Sequence, residues 1–541
     1  MGAEQRKVGS VTYQQVGEDY FQKRGLKRHA AFWGLWSLGV GAVISGDYYG
    51  WNLGLAEGGF GGLLIATIVV AIMYYGLCFS IAEMSPALPH TGGAYSFARS
   101  AMGPWGGFIT GLAENMEYVI TPAVVVGAIG ALMQVIVAGL FDVAGNPWWN
   151  SQPFWWAVFY VIFVGINILG ITATMRVTVV VNALAIAVLV FFYIAVLASG
   201  NFDFDLWFNI RPQEGGSTFL PLGIVGIFPA LPFAIWWYLA IEELPLAAEE
   251  SHDPRRDIAP ATVWGMTTLF VLSLLTFTLN TGVDGGARVV GQSATPLFEG
   301  FKGVFGAGTG AELLALIGVV GLVASFFTII YAYGRNTFSL SRAGYFPKLL
   351  SLTHGKRKTP YVALIGGALV GYILAYVIYY FGQREGATSA AVVGALLYMA
   401  VFGAVISYFM QCLAFILLRR RLPHITRPYR SPVGQWGAAI AAVLALVCLI
   451  SLYLNEDYRP GVIGTLIYFL LGVLYFAIAG RRRLVLSPEE EFALTKGERG
   501  VPGAEAFVAS TAEQTQILRG ESTRPEPEAP PEPAPPRAPT G

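Results

Sequence analysis

Charge is the scarcest material in this chain. Asp, Glu, Lys and Arg make up only 13% of its 541 residues, against about 25% in soluble domains. So little charge over such a length excludes a water-soluble globule, because the polar surface needed to cover one is missing. Positive and negative residues balance to a net charge of zero, which excludes a bulk attraction to nucleic acid. Cysteine is almost absent. Cys78, Cys412 and Cys448 each sit in an apolar run, without a CxxC or CxxH neighbour, and read as small apolar filler. The five histidines (His29, His90, His252, His354 and His424) fall in loops or at the ends of apolar runs. No HExxH pair and no P-loop lysine motif occurs, so no metal or cofactor is expected. Gly39, Gly41 and Gly46 make a poor dinucleotide fingerprint without a βαβ unit around them. With no assembled catalytic constellation, an enzyme is not expected. Met1–Arg28 is polar, so a cleaved signal peptide is not expected.

What is abundant is apolar length: 55% of residues are hydrophobic. A helix needs about 20 mostly apolar residues to cross a bilayer, and about twelve runs meet that need. They are Phe32–Leu55, Gly62–Leu88, Trp105–Leu140, Phe154–Ile171, Val177–Leu197 and Leu220–Leu246, then Ala261–Leu279, Leu313–Leu340, Val362–Tyr380, Ala390–Leu418, Trp436–Leu454 and Val462–Ile478. The expected protein is an all-α polytopic membrane protein. Residues 1–30 form an N-terminal segment, 31–480 the membrane domain, and 481–541 a disordered tail ending in Pro, Glu and Ala. Lys and Arg cluster before the first run and after the sixth, eighth, tenth and twelfth, whereas 141–153 has none and 200–219 only Arg211. Positive loops stay inside, so both termini are expected in the cytoplasm of a cell membrane. Oligomeric state is not legible.

Broken helices and buried charges inside a span are costly, so they point to function. The first run holds Ser45-Gly46-Asp47 near its middle, followed by Tyr48, which reads as a helix interrupted at a carboxylate. Asp47 either serves a site or caps the second half-helix. The sixth run carries Pro229, Pro232 and Pro245 and is expected to break too. Ala240 there separates Trp236, Trp237 and Tyr238 from Glu242 and Glu243. The aromatic rings either cover a cation or pack. The glutamates either serve a site or meet Arg255 and Arg256 at the helix end. In the third run Glu114 and Glu117 share a face, with Asn115 between them. They provide a cation path, a shared proton or a hydrogen-bonded link to a neighbouring helix. Glu83 reads as interfacial and structural. Two broken spans five runs apart indicate an inverted-repeat transporter with its site at the midplane. The repeats would cover about 31–200 and 220–420, with two extra helices at 433–480.

Several separated stretches resemble the amino acid–polyamine–organocation permeases. These are Glu83-Met-Ser-Pro-Ala-Leu-Pro-His-Thr-Gly-Gly-Ala-Tyr95, Gly103-Pro-Trp-Gly-Gly-Phe108, and Ser341-Arg-Ala-Gly-Tyr-Phe-Pro-Lys348 with Thr359-Pro360. The resemblance implies the leucine-transporter-type 5+5 inverted repeat with helices 1 and 6 broken. Tyr13–Phe21, Ile44–Asn52 and Gly111–Tyr118 are most similar to the ethanolamine-permease branch. In amino acid permeases of this kind a Gly-Ser-Gly-like break receives the substrate carboxylate. Here Asp47 occupies the last small position, where it would repel a carboxylate and attract an ammonium. The resemblance therefore implies import of a small amine, ethanolamine first, with Asp47 as its partner. An amino acid permease of the same fold is the nearest rival, and a non-transporting amine sensor a remoter one. Proton-coupled relatives often carry a Lys in helix five, where this chain has Ala187 or Val188. Coupling to protons through Glu114, Glu117 or Glu242, coupling to sodium, and exchange all stay open.

Overall fold

In the computed structural model, residues 5–143, 147–306, 309–384, 386, 389–500 and 508–521 are described. Among them, ten helices are long and apolar enough to cross a membrane. They are α2 Leu53–Ala87, α3 Gly93–Phe141, α4 Gln152–Leu169, α5 Ile171–Ser199 and α7 Pro254–Thr281. The rest are α8 Thr309–Arg342, α9 Tyr361–Arg384, α10 Ser389–Arg421, α11 Gly434–Ser451 and α12 Arg459–Ile478. The first and sixth apolar runs are absent from this set because both are interrupted. Helix α1 covers only Phe32–Val43, and α6 only Ile227–Ile235.

The first interruption lies beyond the expected triplet. Ser45–Tyr48 keeps a single helical turn. The chain departs at Tyr49, which is extended (φ −166°), and at Gly50 (φ +95°). Helix resumes at Leu53 and turns back at Gly59 (φ +66°, ψ −175°) into the second span. Gly50 is where glycine is required, since its left-handed φ is disfavoured for other residues. Gly46 serves a different need. A Cβ there would lie 2.6 Å from the Trp236 carbonyl oxygen, so the two broken spans meet backbone to backbone. In the sixth run, α6 ends at Trp236, Ala240 sits left-handed at φ +83°, and a 3-10 helix continues over Ile241–Glu250. A non-glycine residue at positive φ marks local strain held by its surroundings. Here Ala240 is fully buried between the halves of the span.

The expectation of a disordered tail is corrected for its described part. Strand β3 (Leu484–Val485) pairs in parallel with β2 (Val11–Gln14), which pairs antiparallel with β1 (Gln5–Val8). Helices α13 (Pro488–Leu494) and α14 (Thr511–Arg519) follow, and Ser510 and Glu513 form a capping box at the second. Glu489, Glu490 and Glu491 are completely buried. Their partners come from distant sequence: Arg342 meets Glu489 at 2.6 Å, Arg99 meets Glu490 at 2.7 Å, and Arg499 meets Glu491 at 2.7 Å. Tail composition alone shows none of these pairings. The Pro/Glu/Ala-rich stretch 524–541 lies outside the described residues.

Candidate functional site

Two buried polar islands lie inside the bundle. The first surrounds the paired breaks. Asp47 is 1% exposed, and its Oδ1 accepts a hydrogen bond from the Thr276 hydroxyl of α7 at 3.0 Å. That hydroxyl also lies 2.7 Å from the Tyr193 hydroxyl of α5. Oδ2 of Asp47 has no protein donor, and among the described residues no Lys, Arg or His bonds to this carboxyl. Asp47 accepts no backbone N–H in place of a helix partner, so the capping alternative is not what the structure shows. Ser45 donates to Ser325 of α8 at 2.8 Å. Tyr48 donates to the Ala185 carbonyl of α5 at 2.6 Å. The island thus draws on the first, fifth, seventh and eighth spans, with the sixth-span backbone touching Gly46.

The aromatic triad of the sixth span serves mainly as packing. Trp237 stacks on Trp51, with ring centroids 4.8 Å apart. Trp236 packs over Gly50. The Tyr238 hydroxyl pairs with Ser273 at 3.0 Å. The indole N–H groups of Trp236 and Trp237 are buried without a protein acceptor. Facing the side away from the termini, a cavity of about 20 Å³ is lined by Tyr48, Tyr49, Thr295, Phe298 and Leu322, room for about one water.

The second island is acidic and lies nearer the termini. Glu114, Glu117, Glu242 and Glu243 are each at most 1% exposed. Asn336 of α8 donates to Glu114 at 2.7 Å, and its own side-chain oxygen accepts from Asn115 at 3.0 Å. Tyr408 of α10 donates to Glu117 at 2.9 Å. Tyr118 of α3 reaches both Glu114 (3.3 Å) and Glu242 (3.2 Å). The expected link from Glu114 and Glu117 to neighbouring helices therefore exists. The expected meeting of Glu242 and Glu243 with Arg255 and Arg256 does not, because these glutamates lie inside the bundle. The residues that meet arginines are Glu249 and Glu250, about two turns further along the 3-10 helix. Glu250 binds Arg335 through bonds of 3.0 and 3.1 Å, and Glu249 binds Arg342 at 2.6 Å. Glu83 is structural as expected, paired with Arg419 at 2.5 Å and Arg427 at 3.3 Å.

The twelve residues singled out from sequence thus divide. Ser45, Gly46, Asp47, Tyr48, Trp236, Trp237 and Tyr238 gather at the breaks, and Ala240 forms the sixth-span kink. Glu114, Asn115, Glu117 and Glu242 form the acidic island. Sequence reasoning missed Thr276, Tyr193, Tyr118, Tyr408 and Asn336. Each is one polar group among several on a mostly apolar helix, and only its direction distinguishes it from ordinary membrane-helix polarity. On α5, Val188 is buried and Ala187 exposed. The polar residue of that helix nearest Gly41 is Asn182, whose amide atoms have no protein partner.

An all-helical bundle with two interrupted spans meeting over buried polar groups is the architecture of a membrane carrier. The profile of the amino acid permease family matches residues 31–479, and the chain belongs to that family. Over 446 residues it is 28% identical to an uncharacterized transporter of Rhizobium meliloti, covering 82% of this chain and 90% of the relative. It is 25% identical to a branched-chain amino acid permease of Bacillus subtilis, covering 86% and 96%. It is 24% identical to a methylthioribose transporter of the same organism, covering 83% and 94%.

Proposed function

We propose that this permease is a secondary carrier that imports a small ammonium compound without a carboxylate, ethanolamine in the first instance, by alternating access. One observation carries the reading. The Asp47 carboxyl is buried beside the two helix breaks, with one oxygen held by Thr276 and the other without a donor. A buried carboxylate without a cationic partner is unfavourable, and a substrate ammonium supplies that partner. A carboxylate-bearing substrate would bring its own negative charge against Asp47. The Lys/Arg pattern supports a cell-membrane setting with the termini in the cytoplasm.

The test uses purified protein in detergent and a panel of short amino alcohols, amines and zwitterionic amino acids. Ethanolamine at a hundred times its dissociation constant adds about 2.7 kcal/mol of stability by mass action, and this is read as a raised melting temperature. Asp47→Gly is expected to abolish both that shift and ethanolamine uptake while the protein still inserts. Normal uptake by Asp47→Gly sinks the proposal. The family relatives favour an amino acid substrate as the second reading, and stabilisation by zwitterions but not by amino alcohols would select it.

A further inference from the structure

On the outer face of the bundle an apolar groove of about 400 Å³ runs between α4 and α9. Ala157, Val161, Gly165 and Ile168 of α4 and Leu369 and Tyr372 of α9 line it. Val161 and Leu369 are exposed along it. Ala157, Val161 and Gly165 share one face of α4, and a Cβ on Gly165 would meet nothing within 4 Å, so small side chains leave the depression open. A hydrogen bond crosses between the helices at each end. At the far end the Tyr372 hydroxyl donates to the Pro153 carbonyl at 3.2 Å. At the end nearest the termini the Thr359 hydroxyl donates to the Ile168 carbonyl at 3.0 Å.

The length of the groove selects its occupant. From Ala157 to Ile168 the helix rises about 16 Å. The hydrocarbon core of a bilayer is about 30 Å thick, so the groove spans one leaflet, on the side of the termini. A transmembrane helix or a second copy of this chain needs a seam through both leaflets. An acyl chain needs a seam through one.

Thr359, at the mouth of the groove, directly follows the basic loop His354-Gly355-Lys356-Arg357-Lys358. The loop closes on itself: the His354 N–H donates to the Thr359 carbonyl at 2.9 Å, and the Lys358 N–H to the His354 carbonyl at 2.8 Å. Lys356 and Arg357 are left exposed. Lys358 Nζ donates to the Gln22 carbonyl at 2.8 Å, and the Thr353 N–H to the Lys23 carbonyl at 3.1 Å, which brings exposed Lys23 beside the loop. Arg335, Arg342 and Arg419 are each committed to a carboxylate. Among the described residues no Asp or Glu forms an ion pair with Lys23, Lys356, Arg357 or Lys358. A cationic loop without a protein counter-ion thus stands at the mouth of an apolar groove one leaflet deep.

We infer that α4, α9 and this loop form a binding site for an anionic glycerophospholipid, with one acyl chain in the groove and the phosphate against Lys356 and Arg357. Basic residues beside a membrane helix attract anionic headgroups, and the arginine fork fits a phosphate. A zwitterionic headgroup brings no net charge to meet the loop. The site lies on the outside of the bundle, away from Asp47, and does not depend on which solute the carrier moves.

The experiment is native mass spectrometry of the full chain in detergent, titrated with dioleoylphosphatidylglycerol or with dioleoylphosphatidylcholine, which has the same chains and a zwitterionic head. The wild type is expected to hold phosphatidylglycerol about tenfold more tightly than phosphatidylcholine, and its melting temperature to rise with the bound anionic lipid. A basic residue near the membrane surface is worth about fivefold in affinity for an anionic headgroup. The double variant Lys356→Gln, Arg357→Gln is therefore expected to bind phosphatidylglycerol about thirtyfold more weakly and phosphatidylcholine unchanged. Lys356→Gln alone, with a loss of about fivefold, stands in if the double variant is poorly folded. Gly165→Phe fills the groove, leaves the loop intact and is expected to lose the bound phosphatidylglycerol. Equal retention of the two lipids by the wild type overturns the proposal, as does wild-type retention of phosphatidylglycerol by the loop variants or by Gly165→Phe. A lipid-free dimer that Gly165→Phe dissolves also overturns it, since a second copy would then occupy the groove.

Discussion

Glu490 offers the sharpest test of the tail's place in the fold. Its side chain is fully buried and accepts four hydrogen bonds: from Arg99 Nε at 2.7 Å, Tyr13 at 2.5 Å, Tyr345 at 2.8 Å and Tyr95 at 3.1 Å. Those donors come from the start of α3, from β2 and from the loop after α8, so one carboxylate ties the tail to three distant segments. Glu490→Gln keeps the shape and removes the charge. Arg99, 5% exposed, would be left with Tyr13 as its hydrogen-bond partner. Removing one partner of a buried ion pair costs about 3–5 kcal/mol. The glutamine oxygen can still accept from the tyrosines, so the lower end, about 3 kcal/mol, is appropriate. That weakens tail docking about a hundredfold. Limited trypsin digestion with intact-mass readout measures it, because Arg499, half-buried and paired with Glu491 and Glu513, is released when α13 detaches. Cleavage there is expected to accelerate about a hundredfold where opening is fast relative to cutting. Glu456→Gln, at an exposed ion pair with Arg459, is the control and should change nothing. An unchanged rate in Glu490→Gln would refute the assignment of Glu490 as the anchor.

Two further outcomes follow from the same geometry. Gly46→Ala pushes a methyl to 2.6 Å from the Trp236 carbonyl and 3.3 Å from Trp237 Cα. Backbone atoms cannot swing aside, so about 1–3 kcal/mol of overpacking is expected, seen as a lowered melting temperature and ethanolamine uptake below a tenth of wild type. Gly165→Ala, with open space around its Cβ, should match wild type, and equal behaviour of the two variants would contradict the close approach of the breaks. Acid should loosen the tail. Burial holds His90 below its ordinary 6.5, with Nε2 donating to the Gly500 carbonyl and Nδ1 accepting from Ser96. Below pH 6.5 the undocked form takes up a proton that the docked form resists, so docking weakens. Burial opposes ionisation of Glu489, but Arg342 and His90 outweigh it and hold it below 4.5. Its contribution is present above 4.5 and lost as pH falls through the lower docked value. Hydrogen exchange over 488–494, corrected for intrinsic rates, should therefore show less protection at pH 5 than at 7.5 through His90, with the Glu489 loss following only below 4.5, and equal protection at pH 5 and 7.5 would count against the burial of His90 under the tail.

The sequence by itself determined the spans, the family and the two interruptions. Apolar length is a local property, and a bilayer leaves helices as the only way for such runs to satisfy their backbone. Proline, glycine and a mid-span Asp47 announced the breaks for the same reason: each violates a rule that a continuous membrane helix must obey. Direction and pairing are not local, and only the tertiary structure decided them. The first departure moved from Ser45-Gly46-Asp47 to Tyr49–Gly50 because Gly46 is used for contact with the Trp236 backbone rather than for an unusual φ. Trp237 became packing because Trp51 lies under it. The acidic run Glu489–Glu491 reads as part of a disordered tail until Arg342, Arg99 and Arg499 are brought to it. Asp47 was visible as an anomaly from the start, but that one of its oxygens lacks a donor follows from which side of α7 presents Thr276, a matter of packing between helices that no single stretch of sequence contains.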